Sequence, residues 1–279
     1  MPLFIAKLPP VRGAPEEMTL QEAADHLGIH YMTAYRHVRL GRLPAVKRDG
    51  QWRVSAADVE ALSSRPTTRG RGTRRFEPSR LADRLVAGDE PGAWAIVESL
   101  LVGGAEPADV HVHLLGPALS EVGDRWAAGT ISVADEHRAT AVAHRLLGRL
   151  GPRFRRAGRA RGTVLVAGVP GDSHGLPGAL LSDVLRSAHF DVVELGPDTP
   201  LLDLETAGRA AGSSLRAVCL SFAVGGRDDE VATVVSALRS SLGVPVLVGG
   251  PACDGPVHAA RLGADGTAGD ALGVVALLA

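Results

Sequence analysis

Four apolar runs in the second half of the chain, residues 164–169, 192–195, 217–222 and 244–248, are separated by amphipathic stretches of helical period. Short, near-continuous apolar strands alternating with helices specify a parallel sheet covered on both faces. Residues 264–267 offer a short fifth strand. Residues 162–279 are therefore expected to form an α/β domain. In open sheets of this kind ligands bind beyond the carboxyl ends of the strands. The loop after the first run carries Asp172-Ser173-His174. A neutral imidazole is a good metal ligand, and a nearby carboxylate can hold its second nitrogen and tune its basicity. Gly168-Val169-Pro170-Gly171-Asp172 does not match G-x-G-x-x-G, so a dinucleotide is disfavoured. Read from the residues alone, a different ligand or none, with His174 an ordinary loop residue, also fits.

Residues 77–150 read as four helices with short joints, which suggests a four-helix bundle. Pro78-Ser79 opens the first, with Leu81, Leu85 and Val86 apolar, and Glu90-Pro91 opens the second, with Trp94, Val97 and Leu101 on a stripe. Pro107-Ala108 opens the third, whose stripe is Val112, Leu115, Leu119, Val122 and Trp126. Gly116-Pro117 lies inside that stripe and is expected to kink or restart the helix, and Gly129 ends it. Ser132 caps the fourth. Trp126, Glu136 and His137 fall at the joint between the third and fourth helices, where a buried Trp126 beside a solvated helix start is as good a reading as a site. His111 and His113 are two apart on a helix and point to different sides, so no shared metal site is expected. His144 reads as surface.

Residues 16–62 carry a different pattern. Thr19-Leu20-Gln21-Glu22 is a capping box, and Leu20, Ala23, Ala24 and Leu27 share one helical face. After Gly28 a second helix is expected from Tyr31 or Met32 to Leu40, ending at Gly41. Helix, glycine-bearing turn, helix is the helix-turn-helix pattern, in which the second helix enters the major groove. The candidates for contact with base edges are His30, Thr33, Tyr35, Arg36 and Arg39, with Ala34 and Val38 packing inward. Two extended runs around Asp49-Gly50 then read as a hairpin, a basic wing carrying Lys47, Arg48 and Arg53. Ser55 caps a further helix through Leu62. The alternative is a small helical interaction domain. Residues 63–76 are an arginine-rich linker, either a plain tether or a further phosphate contact.

The near-zero net charge hides an asymmetry. Residues 1–75 hold thirteen Lys or Arg against seven Asp or Glu, a net of +6, and the remainder holds seventeen against twenty-four, a net of −7. A basic head on an acidic body favours phosphate contact by the head. No apolar run is long enough for a membrane span, no secretory leader is expected, and Cys219 and Cys253 read as reduced thiols of a cytoplasmic protein.

The order from Leu20 to Leu62 resembles the excisionase and MerR-type winged helix-turn-helix. Trp126-x9-Glu136-His137, Asp172-x-His174, the stretch Leu195–Pro200 and Gly249-Gly250 together resemble cobalamin-binding proteins, and the whole chain is similar to the CarH/LitR-like light-dependent cobalamin repressors. The resemblance implies a multidomain fold: a winged helix-turn-helix head (16–62), the linker (63–76), a four-helix bundle cap (77–150) and a Rossmann- or flavodoxin-like cobalamin-binding domain (162–279). It implies adenosylcobalamin, or another cobalamin, with His174 as the lower axial cobalt ligand. Asp172 would orient that histidine, Trp126, Glu136 and His137 would cover the upper face, and Ser221, Gly249 and Gly250 would lie along the nucleotide tail. The implied function is a regulator, not an enzyme, that binds a double-stranded DNA operator as a homo-oligomer, dimer or tetramer, without membrane. Light would cleave the cobalt–carbon bond and release DNA. Two positions depart from the family pattern. Residue 177 is proline where the D-x-H-x-x-G form has glycine, and residue 127 is alanine where a histidine commonly follows the tryptophan. A corrinoid carrier for methyl transfer, and a regulator sensing haem, oxygen or a partner, remain the other two readings.

Overall fold

A computed structural model describes residues 17–26, 34, 35, 38, 43–48, 50–59 and 76–279. The chain divides into two units, residues 1–73 and 74–279.

In the smaller unit, strand β1 (Glu17–Thr19) leads into helix α1 (Leu20–His26), and β2 (Val46–Arg48) and β3 (Gln51–Ser55) form a hairpin, all in one antiparallel sheet of order β1-β3-β2. The hairpin turns through Gly50 at φ +80°, a conformation that suits glycine. Thr19 and Glu22 form the reciprocal capping box: Glu22 N–H donates to Thr19 Oγ1 at 3.2 Å and Thr19 N–H to Glu22 Oε2 at 2.7 Å. The Thr19 backbone N–H, and after it the Thr19 hydroxyl donating to the same oxygen at 2.9 Å, hold the Glu22 carboxyl below its usual value. Leu20, Ala23, Ala24, Ala34, Leu43, Val54 and Val59 make the core. Removing the cap by Thr19→Ala is expected to cost about 1 kcal/mol, seen in hydrogen exchange as several-fold weaker protection of the α1 amides with other amides unchanged.

In the larger unit, helices α2 (Pro78–Val86), α3 (Glu90–Val102), α4 (Pro107–Val110), α5 (Gly116–Ala127) and α6 (Val133–Leu150) surround a core that includes Leu81, Leu85, Val97, Leu114, Leu146 and Phe154. Asp89 accepts from Gly92 N–H to start α3, and Ser132 and Asp135 form a capping box at the start of α6. Between α4 and α5 the helix widens into a π turn, His111–Leu115, with Gly116 N–H reaching back to His111 O. Pro117 has no N–H to continue the ladder, so the third helix of the sequence pattern restarts here without stopping.

The sheet strands are β4 (Thr163–Gly168), β5 (Asp191–Gly196), β6 (Leu215–Ser221) and β7 (Val246–Gly249), all parallel in the order β5-β4-β6-β7. Helices α7 (Leu176–Ser187), α8 (Leu201–Ala211) and α9 (Asp228–Leu242) connect them, and α10 (Pro256–Arg261) and α11 (Ala271–Leu277) follow. β4 is buried along its whole length, whereas edge strand β5 is largely exposed. In place of a fifth strand, residues 264–267 contribute a bridge from Gly266 to Leu247, the bonds from Val248 N–H to Gly266 O and from Asp265 N–H to Val246 O, and the Asp265 carboxylate that accepts from Val246 N–H. The strand order reverses at β4, so the gap between β4 and β6 is the switch point where ligands of such sheets bind. The helical segment docks on the sheet through a buried polar contact, His111 Nε2 to Asp183 Oδ2 of α7 at 3.1 Å. His113, two residues on, is exposed. Among the described residues no helix is long and apolar enough to cross a membrane.

Candidate functional site

The loop after β4 brings Asp172 and His174 to the switch point. Asp172 is 1% exposed and its carboxylate joins two loops. Oδ1 accepts from His174 Nδ1 at 2.6 Å and from His174 N–H at 3.0 Å; Oδ2 accepts from the amides of Ala223 at 2.5 Å and Val224 at 3.3 Å, beyond β6. With Nδ1–H given to the carboxylate, the lone pair lies on Nε2. The His174 side chain is 55% exposed, so that nitrogen is open to a metal. Burial works to raise the Asp172 carboxyl, but the donors from Ala223 and then His174 outweigh it and leave it below its usual value of 3.8. A group depressed in the folded state contributes stability above its unfolded value that is lost as pH falls through the folded one. The chain is therefore expected to lose an increment of thermal stability below pH 3.8, an increment that Asp172→Asn removes when melting is followed from neutral to acid pH.

The loop after β5 locks the same turn. Asp198, at φ +47°, accepts from Gly171 N–H through Oδ1 at 2.5 Å, and its own N–H donates to Asp172 O at 2.8 Å. A Cβ on Gly168 would sit 2.9 Å from Pro197 Cα, so only glycine permits this approach. Pro177 lies in the first turn of α7, where its missing N–H costs nothing. A Cβ on Gly178 would make only ordinary contact, at 3.6 Å with Val166, so the displaced glycine of the D-x-H-x-x-G form meets no tight packing here.

Across the strand ends Gly168 pairs with Ser221 and Ser221 with Gly249. Ser221 is 9% exposed and its Oγ has no hydrogen-bond partner. A buried hydroxyl normally finds one, so this oxygen, flanked by two glycines, suits a polar group arriving from outside. Gly249 faces open space, whereas Gly250, at φ +106°, is required by the fold itself, because a Cβ there would collide with Phe222 O. These features, with the open Nε2 of His174, fit a cofactor that combines a metal centre with a polar tail. Cys219 is buried and its thiol pushed up to about 12 by that burial; both cysteines are free.

Trp126, in the last turn of α5, is 50% exposed and is not a core residue. Glu136 and His137 follow in the first turn of α6; Glu136 accepts from Thr140 Oγ1 at 2.8 Å and His137 is exposed. In the smaller unit Lys47 and Arg48 are exposed and Arg53 half-buried. Tyr35 leans on the core, its ring 6.5 Å from Trp52, and Ala34 and Val38 also pack inward. His30, Thr33, Arg36 and Arg39, the end of the second helix at Leu40 and Gly41, and linker residues 63–75 lie outside the described residues. Sequence reasoning missed the Ala223 and Val224 amides, the Gly168–Pro197 approach and the His111–Asp183 contact; only the X-Pro-Asp-Thr-Pro stretch signalled any of them.

Two family models match parts of these units: residues 79–150, the helical segment of the larger unit, match the B12 binding domain, and residues 17–64 match the helix-turn-helix domain. Of particular proteins, the chain is similar to the HTH-type transcriptional repressor CarH of Myxococcus xanthus, 34% identical over 170 residues, which cover 59% of this chain and 54% of that one. It is also similar to trimethylamine corrinoid protein 2 of Methanosarcina acetivorans, 26% identical over 127 residues, 44% of this chain and 58% of that one. The chain thus spans little more than half the length of either relative. The Methanosarcina barkeri monomethylamine corrinoid protein shares the fold, with a TM-score of 0.61 at 20% identity over 75% of this chain and 98% of that one.

Proposed function

We propose that this chain is a cobalamin-binding transcriptional regulator whose head binds a double-stranded DNA operator. The observation that carries the reading is the His174 ring, fixed through Nδ1 by buried Asp172 with Nε2 open at the switch point, in a chain with B12 binding and helix-turn-helix domains. The chemistry a bound adenosylcobalamin supplies is a cobalt centre with a light-labile cobalt–carbon bond. In this reading His174 would hold the cobalt through Nε2 and Asp172 would keep the ring oriented. Ser221 and Gly249 line the polar tail, with Gly250 shaping the loop beside them. Trp126, with Glu136 and His137, shields the upper face from water as part of a four-helix bundle cap over residues 77–150. Residues 16–62 form the winged head, with Tyr35, Lys47, Arg48 and Arg53 on the DNA side together with His30, Thr33, Arg36 and Arg39, and residues 63–76 tether it. The regulator is cytoplasmic and acts as a homo-oligomer, dimer or tetramer, so that paired heads gain from effective concentration. Any coupling of light to DNA requires a bound state that differs in affinity from the released one. Ala127 removes the histidine that would follow the cap tryptophan, so the photoproduct cannot use that position.

The test is an absorbance spectrum of the full chain after mixing with adenosylcobalamin in darkness and desalting, repeated after green light. Retained pigment with a light-dependent shift is the expected result. Retained pigment that photolyses like the free cofactor would favour a carrier or ligand sensor, and no retained pigment would remove the proposal.

A further inference from the structure

Residues 137–171 contain eight arginines and no Asp or Glu, although the chain beyond residue 75 has a net charge of −7. The densest part, residues 149–161, joins α6 to β4. Phe154, fully buried in the helical core, pins its middle, so Arg153, Arg155 and Arg156 are held outward on an anchored turn. Further along, Arg161 lies over the Phe190 ring at 4.5 Å, and Arg216 Nε donates to Arg161 O at 3.3 Å, bringing a second strand's arginine to the same edge. Arg156 has one exposed partner, Glu106 at 3.5 Å. Among the described residues no carboxylate pairs with Arg153, Arg155 or Arg159, all exposed.

Like charges gathered without counter-ions repel one another, and the arrangement is relieved by a polyanion. We infer that this arginine arc is a contact surface for the phosphate backbone of duplex DNA, separate from the N-terminal head; the inference rests on the reading of the chain as a DNA-binding regulator. One observation favours DNA over the acids of a second copy's helical segment. Most acids of the helical segment are already engaged: Glu77 holds Arg80, Asp83 and Glu121 hold Arg125, Asp89 holds Arg84, Glu90 holds Arg145, Glu106 holds Arg156 and Asp135 holds Arg138. The arc also leads to Arg161 and Arg216 at the amino ends of β4 and β6, whereas His174 lies beyond the carboxyl end of β4. Phosphates on the arc therefore do not compete with a ligand at His174. In an acidic body this is the face that a duplex can approach.

The test is the salt dependence of binding of the full chain to a mixed-sequence duplex, with the Arg153→Gln, Arg155→Gln, Arg159→Gln triple variant beside it. These side chains are exposed and unpaired, so the variant is expected to fold and to keep the oligomeric size of the parent. Each phosphate that the protein no longer neutralises lowers the log–log slope by about 0.9, so the slope should fall by about 2 to 3. An unchanged slope overturns the inference while leaving the DNA-binding reading intact. A changed oligomeric size with an unchanged slope overturns it in favour of self-association. A slope lowered by the triple variant but not by Lys47→Gln with Arg48→Gln leaves the arc standing and removes the wing. No binding by the parent chain overturns both readings.

Discussion

Replacing His174 by alanine is expected to abolish retention of cobalamin on desalting while leaving the fold intact. The side chain is more than half exposed, and among the described residues its ring makes a hydrogen bond only to Asp172. Its removal leaves Asp172 still accepting from the amides of residue 174, Ala223 and Val224, so no buried charge is left without donors. The structural cost is therefore small, and the effect should fall on the metal. Losing a partner that only orients a ligand costs about 10–100-fold in metal affinity, so Asp172→Asn is expected within that range and His174→Ala beyond it. The order of the two variants, read by equilibrium titration at a single pH, is the informative result. Equal affinity of His174→Ala and the parent chain would contradict the assignment.

The largest effect on stability is expected from Asp183→Ala. Asp183 is nearly buried and accepts from Arg186 at 3.0 Å as well as facing His111 Nε2. His111 is 2% exposed, its ring lies 4.4 Å from Phe154, and its Nδ1 already lacks a partner. Removing the carboxylate leaves both ring nitrogens unsatisfied in the joint between helices and sheet. Leaving a buried polar group without its partner costs about 1–3 kcal/mol. Replacing both partners, as in His111→Phe with Asp183→Leu, is expected to be milder, because no orphaned polar group remains. Urea unfolding of the three chains gives the comparison; a loss below about 1 kcal/mol for Asp183→Ala would show that water replaces the carboxylate at little cost.

The sequence carried the parts of the fold that depend on period and on neighbours. Near-continuous apolar runs marked all four strands, Thr19 with its capping box and Ser132 as a cap marked two helix starts, and Gly116-Pro117 marked the restart realised as a π turn. Where packing decides, the pattern reached less far. Residues 264–267, Ala-Asp-Gly-Thr, follow the order of a fifth strand, yet they lie at the sheet edge and keep a single bridge. Trp126 fits an apolar stripe, but the stripe's last turn runs out beyond the core and leaves the ring half exposed. Of the candidate site, Asp172 and His174 were legible because they are two residues apart. The amides that hold Asp172 come from 51 and 52 residues away, and His111 meets Asp183 across 72. Hydropathy tells which face of an element is buried, not which buried polar groups will meet there. Gly250 was legible as a glycine but not for its reason, which is the backbone of Phe222 against it.

The central claim is that His174 binds cobalt, and the most direct measurement is electron paramagnetic resonance of the reduced, cob(II)alamin-bound chain prepared with natural and with 15N-labelled histidine. If a protein imidazole is the axial ligand, the nitrogen superhyperfine lines change from triplets to doublets on labelling. That change, and its loss in His174→Ala, are the expected results. Triplets that persist after labelling would mean that the cofactor's own base stays on the metal, and would contradict it.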